Sequence, residues 1–200
     1  MLSLSKYGGM DAVSQYALAY ALTTSAGIRA LLPLAAVSIA AHNGWIHPSG
    51  DFAWLGHALV MWILISVAAL EILADKIPFV DHAMHFVQVA SKPAAAVILV
   101  GGTMHAQSHE QLVFLMVIGA LNALGIHGAV MGARAASTAG TAGLANPVLS
   151  TVEDTGSIGG IVLAFFAPVV AAVLALVFTV LLILVGRHVY RRIRPRPVSP

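Results

Sequence analysis

The sequence predicts an all-α fold: a polytopic transmembrane helical bundle of about six spans, some of them broken or half helices. Three observations carry this. Hydrophobic residues make up 59% of the chain and charged residues only 9%, against about 25% charged in a typical soluble domain. A soluble fold of 200 residues could not cover its surface with so few charges. The mean hydropathy of +0.90 agrees. The apolar residues also fall into runs near the roughly 20 residues that cross a bilayer, separated by turn signals. The length suits one compact unit. A polar N-terminus (1–9), a single transmembrane domain (10–186) and a basic tail (187–200) are expected.

The first apolar region, Met10 to Ala41, is too long for one straight span. Thr23-Thr24-Ser25-Ala26-Gly27 is expected to break it, leaving an interfacial piece (Asp11 to Leu22) and a span from Ile28. No A-x-A cleavage site follows at signal-peptide distance, so this region is expected to serve as its own uncleaved signal. His42 to Asp51 is a polar loop with Gly, Pro and Asn turn signals. The second span is expected over Phe52 to Ala74, closed by the charged turn Asp75-Lys76-Ile77-Pro78. The third segment, Phe79 to Met104, is interrupted by Lys92-Pro93, which implies two half-helices or a kink. His105 to Glu110 reads as a loop. A fourth span follows from Gln111 to about Ala133, ending near Arg134. The Ser/Thr/Gly/Ala-rich stretch Ser137 to Asn146 reads as loop or unwound backbone. Pro147 suits the first turn of a fifth helix, which runs to about Phe166. Ala167-Pro168 gives a tight break before a last run to Gly186.

Charge placement orients the chain. Lys and Arg mark cytoplasmic loops. With a cytoplasmic N-terminus carrying Lys6, the inner loops hold Lys76, Arg134 and the tail, while the outer loops at 42–51 and 105–110 hold neither Lys nor Arg. The expected location is a bacterial inner membrane, crossed several times, with a cytoplasmic C-terminus. If 148–186 held a re-entrant piece and one long span, the count would fall to five. Arg187, Arg191, Arg192, Arg194 and Arg196 are half of the ten basic residues. They read as a lipid-facing anchor and not as a nucleic-acid surface. Cysteine is absent, which excludes disulfides and thiolate chemistry.

Charges inside a bilayer cost a few kcal/mol each and are candidates for function. One cluster is Glu71, Asp75, Lys76, Asp81, His82 and His85. Glu71 and Asp75, four apart, share a helix face, as do Asp81 and His85. The second cluster is Asn146, Glu153 and Asp154. Arg29 and Lys92 are the cations of the first and third spans. The bland reading makes Asp75, Lys76 and Asp81 solvated loop markers, pairs Glu71 with Arg29 or Lys92, and turns Glu153 and Asp154 into neutralisers of Arg29, Lys92 or Arg134. The expected ion-binding set is Glu71, Asp75, Asp81, Asn146, Glu153 and Asp154, with Arg29, Lys76 and Lys92 as charge partners. No motif specifies a cofactor. His82 and His85 with the carboxylates would accept a divalent metal, although their spacing matches no zinc signature. Gly128-x-x-x-Gly132 and Gly156-x-x-x-Gly160 permit close helix packing, within the bundle or in a homo-oligomer. Thr24 to Ile28 before Pro33 and Gly140 to Leu144 before Pro147 echo each other weakly, as the broken helices of repeat transporters do.

The string Glu71-x-x-Ala74-Asp75-Lys76-Ile77-Pro78-x-x-Asp81-His82, with Lys92-Pro93 and Asn146-Pro147-x-x-Ser150-x-x-Glu153-Asp154, resembles an uncharacterised bacterial membrane family, domain of unknown function 4126. Gly27-Ile28-Arg29-Ala30-x-x-Pro33 is similar to its opening motif. The resemblance covers about Thr23 to Arg192. Lys92 stands where the family more often has Arg, which keeps the charge and loses a planar bidentate donor. The resemblance implies membrane location and the same acidic residues, and no activity.

The leading expectation is a small secondary transporter or exchanger for a cation, with the lipid bilayer and a small ion or solute as partners. The alternatives are a membrane-embedded metal-dependent enzyme and a structural or accessory membrane protein.

Overall fold

A computed structural model describes residues 10–48, 50–74, 78–105 and 108–193, with side chains for all of these except 78–86, 186 and 188–193. The described chain is all-α. In order, the helices are α1 (Ala12–Ile28), α2 (Leu31–His42), α3 (Ala58–Ala74), α4 (Pro78–Thr103), α5 (His109–Thr141), α6 (Asn146–Phe166) and α7 (Pro168–Ile193), with a 3-10 turn at Gly50–Gly56 before α3.

Local chemistry sets the ends. The Asp11 carboxylate caps α1 by accepting from the Ser14 N–H at 2.6 Å, and the Ser108 hydroxyl caps α5 by accepting from the Gln111 N–H at 3.2 Å. Proline opens α6 at Pro147 and α7 at Pro168, where its missing N–H costs nothing. The α5–α6 turn needs positive φ at Ala142 (51°) and Gly143 (85°); Gly143 meets that without strain.

α1 is the hub. It packs against α2, α4, α5, α6 and α7. Leu18, Leu22 and Ala26 of α1 are fully enclosed with Val37, Leu99 and Ala164 from three other helices. The outside is apolar too: Leu59, Trp62, Ile63 and Leu70 of α3 and nearly every large residue of α7 from Val169 to Val185 are exposed. A shell this greasy around a packed, partly charged interior is stable only in lipid. Three helices, α5, α6 and Pro168–Val185 of α7, are long and apolar enough to cross a membrane. A fourth crossing results if the 3-10 turn and α3, bent by 72°, are one span. The chain is a multi-pass membrane protein.

The six expected segments each correspond to a helical run, but several boundaries move. Thr23 to Gly27 does not break α1, because the Thr23 and Thr24 hydroxyls donate back to the Tyr20 carbonyl at 3.0 Å and sit comfortably in a helix. The break comes at Arg29, which is extended (φ −131°, ψ 111°). Pro33 explains the position: a continuous helix would aim its ring, with no N–H, at the Arg29 carbonyl. Ser137 to Thr141 is likewise helix and not loop. Thr138 and Thr141 donate back to the Arg134 and Ser137 carbonyls at 3.0 and 2.8 Å. The expected echo therefore pairs a helical stretch with a true turn. The second segment begins as a 3-10 turn, since Gly50 and Gly56 bracket residues too short for an α-helix of their own. α4 runs through Pro93 as one helix, not two, and His109 and Glu110 belong to α5.

The glycine pairs also differ from expectation. Around a Cβ built at Gly128, Gly132 or Gly156 there is only open space; Gly160 faces Ser25 Oγ at 3.4 Å. Close approaches lie at other glycines, among them Gly27, where a Cβ would lie 2.5 Å from Ile126 Cβ and 2.7 Å from the Ala123 carbonyl oxygen. Polar groups join the same two helices: the Asn122 amide donates to both Thr23 and Thr24 hydroxyls at 3.0 Å.

Candidate functional site

The break after α1 frees backbone groups inside the bundle, and they must find partners. Glu71, buried near the end of α3, supplies them. Its two carboxylate oxygens accept from the Ala30 N–H at 3.1 Å and the Leu31 N–H at 3.0 Å. This is an anion on the positive end of a helix, the arrangement that backbone dipoles favour. The charges of Arg29 and Lys92 also act on Glu71.

Arg29, at the break itself, is only 1% exposed. Its guanidinium reaches across to α6, 2.8 Å from Asp154 Oδ1, and donates to the Ser150 hydroxyl at 2.9 Å. Glu153 Oε2 is 3.9 Å away. Glu153 turns to α5 instead. Arg134 grips it with both nitrogens, Nε to Oε1 at 3.1 Å and Nη2 to Oε2 at 2.5 Å. This fork-on-fork geometry is the strong form of the pair. Two adjacent carboxylates thus hold two arginines from two different helices. Lys92 of α4 lies 2.8 Å from His127 Nδ1 of α5. Both are buried, and the ammonium must donate, because it has no lone pair to offer.

A cavity of about 680 Å³ adjoins the α6 carboxylates. It lies between α1, α5, α6 and α7. Its walls are apolar save for Thr24, Ser25 and Glu153, and Gly156, Gly159 and Gly160 leave the α6 wall bare. A second cavity, about 550 Å³, lies where α1, α4 and α5 meet, with Tyr16, Tyr20, Thr23 and Asn122 as its polar residues and, among the described residues, no charged group.

Of the expected site residues, the structure brings Glu71, Glu153, Asp154 and Arg29 to the two sides of one break. Lys92 sits by His127. Asn146 lies apart at the α5–α6 turn, its amide donating to the Thr138 hydroxyl at 3.0 Å. Asp75 and Lys76 lie outside the described residues, as do the side chains of Asp81, His82 and His85. Among the described residues no group of three His, Asp or Glu side chains is placed to hold a metal.

Arg134 is corrected from a loop marker to an interior residue, because α5 continues two turns past it. Sequence reading passed over Ser150 as a ligand of Arg29, and His127 altogether. A signal existed: Ala123, His127, Val130 and Arg134 recur at helical spacing, and all are buried. Extending the period beyond Ala133 would have put Arg134 on the inner face with His127. Ser150, Asp154, Ser157 and Ile161 repeat the pattern on α6.

A family model described as domain of unknown function (DUF4126) matches residues 16–188. The chain belongs to that family. No curated protein and no solved structure matches it.

Proposed function

We propose that this member of the DUF4126 family is a small secondary transporter or exchanger for a cation, with Glu153 and Asp154 as its coupling carboxylates. One observation carries the reading: two neighbouring carboxylates inside the bundle each hold an arginine from a different helix, and one of them also lines a cavity. Buried ion pairs are poor stabilisers, since desolvation cancels much of their attraction. A chain that retains them inside a membrane gains something else from them.

The mechanism follows from partner exchange. In the resting arrangement Glu153 is satisfied by Arg134, and Asp154 by Arg29, which also donates to Ser150. A cation or proton that takes Glu153 releases the Arg134 guanidinium. The freed positive charge then repels the newcomer's successor and draws on the remaining carboxylate. Occupancy is thereby tied to how α5, α6 and the α1–α2 break sit against one another. A helix broken inside the bundle is the kind of element on which solute sites in transporters are built; here Glu71 occupies the helix N-terminus at the break. We place the protein in a bacterial inner membrane with its C-terminus in the cytoplasm, on the strength of the Arg residues that end α7. Asp75, Asp81, His82 and His85 remain proposed members of the same path.

Reconstitution tests this. Glu153→Gln in proteoliposomes should cut cation-coupled flux by about tenfold or more, the factor that 1.4 kcal/mol sets, while the protein still inserts and elutes as a single species. Wild-type flux in both Glu153→Gln and Glu71→Gln would overturn the carboxylate mechanism. The accessory reading draws support from one feature, the mutual neutralisation of the described interior charges. It expects no flux from the wild type and misassembly of the variants.

A further inference from the structure

We propose that the cavity between α1, α5, α6 and α7 is a binding site for a lipophilic monocation: an organic molecule with an apolar body and one delocalised or protonated positive charge. The inference rests on the transporter reading and names its substrate class.

The volume of about 680 Å³ is that of a site for a small organic molecule, typically about 300–1,000 Å³, and far exceeds what a bare ion needs. The walls are almost wholly apolar, so a hydrated inorganic ion would find too few ligands there. Among the described residues Glu153 is the only charged one on the lining; both its oxygens accept from Arg134, so a cationic head would take the carboxylate from that guanidinium. An apolar body with a cationic head matches both features; an anion of the same shape would meet that carboxylate.

The cavity is also built to stay open. Gly156, Gly159 and Gly160 leave part of the α6 wall bare, and a Cβ at Gly156 or Gly159 would meet nothing within 4 Å. Small side chains from Ala21 and Ala171 continue the same surface. The mouth faces the bilayer: Val148, Val152, Leu174 and Phe178 line it and are themselves exposed apolar residues. A lipophilic cation dissolves in the membrane and can enter from there. The second cavity, lined by tyrosines and an asparagine with no charge, has no such preference.

Two ions of the same shape and opposite charge test the idea. Tetraphenylphosphonium should bind saturably to the purified protein in nanodiscs, and tetraphenylborate about tenfold or more weaker, the factor that 1.4 kcal/mol sets. Glu153→Gln should weaken the phosphonium by a similar factor. Gly156→Leu, which projects into open space and leaves the charge network alone, should abolish binding without lowering thermal stability. Equal binding of the two ions, preference for the borate, or no effect of Gly156→Leu would overturn the proposal. So would a dimer that Gly156→Leu dissociates in protein that binds no cation, since the groove would then hold a second copy. The two readings separate: binding without coupled flux leaves the site and removes the transporter, whereas flux of a small ion without phosphonium binding does the reverse.

Discussion

At Gly27 a missing side chain decides how closely α1 and α5 approach. A methyl there would sit 2.5 Å from Ile126 Cβ and 2.7 Å from a backbone oxygen, and the oxygen cannot rotate away. The helices would have to part. That would stretch the Asn122 contacts to Thr23 and Thr24 as well. Gly27→Ala should therefore destabilise the detergent-solubilised protein by about 1–3 kcal/mol, the usual cost of overpacking, read by denaturant unfolding. The same substitution at Gly128, where there is open space, should change stability little or raise it, by the roughly 1 kcal/mol that separates the two residues' helix propensities. Sequence reading singled out Gly128, Gly132, Gly156 and Gly160 by their spacing. Spacing identifies glycines that share a helix face; it does not say whether another helix lies on that face.

At the scale of elements, two prolines behave differently for a reason that lies elsewhere in the chain. Pro93 costs α4 one hydrogen bond and the helix continues. Pro33 ends α1 four residues upstream, and α2 starts afresh. The break is tolerated because Glu71 takes up the Ala30 and Leu31 N–H groups. Removing that acceptor with Glu71→Ala should orphan two buried donors at about 1–3 kcal/mol each. Hydrogen exchange should report the loss as faster exchange at Ala30 and Leu31, with the middle of α1 protected as before. Unchanged protection at those two amides would mean that water already reaches the break. The hydroxyl-rich stretches at 23–27 and 137–141 teach the converse. Their small polar residues look like breakers, yet in lipid each hydroxyl bonds its own helix and the run stays regular.

For the whole molecule, the described interior sets Arg29, Lys92 and Arg134 against Glu71, Glu153 and Asp154. The bundle is held together by apolar packing around α1, and the charges cross-link helices that are distant in sequence. Removing one partner leaves a stranded charge; removing both does not. Arg134→Gln alone should cost about 3–5 kcal/mol, and Arg134→Gln with Glu153→Gln should recover most of it. A thermal-unfolding double-mutant cycle measures the coupling. A double variant that is stable but inactive in flux would assign the pair to mechanism; additive losses would show that the two residues do not interact.

The sequence by itself determined the membrane class, the approximate helical segments and which charges lie in apolar runs. These follow from composition and from the cost of charge in lipid, neither of which depends on the fold. It marked the turn at Pro147 and the break at Ala167-Pro168 correctly, because proline acts locally. Only the tertiary structure decided which charges meet. Arg29 and Asp154 are far apart in the chain, and Arg134 looked like a loop residue until α5 was seen to run past it. The break at Arg29 is also a tertiary fact, since Pro33 permits it but a carboxylate from α3 takes up the freed N–H groups. Pairing across a bundle depends on how helices rotate against one another, and that rotation is settled by the packing of every helix at once.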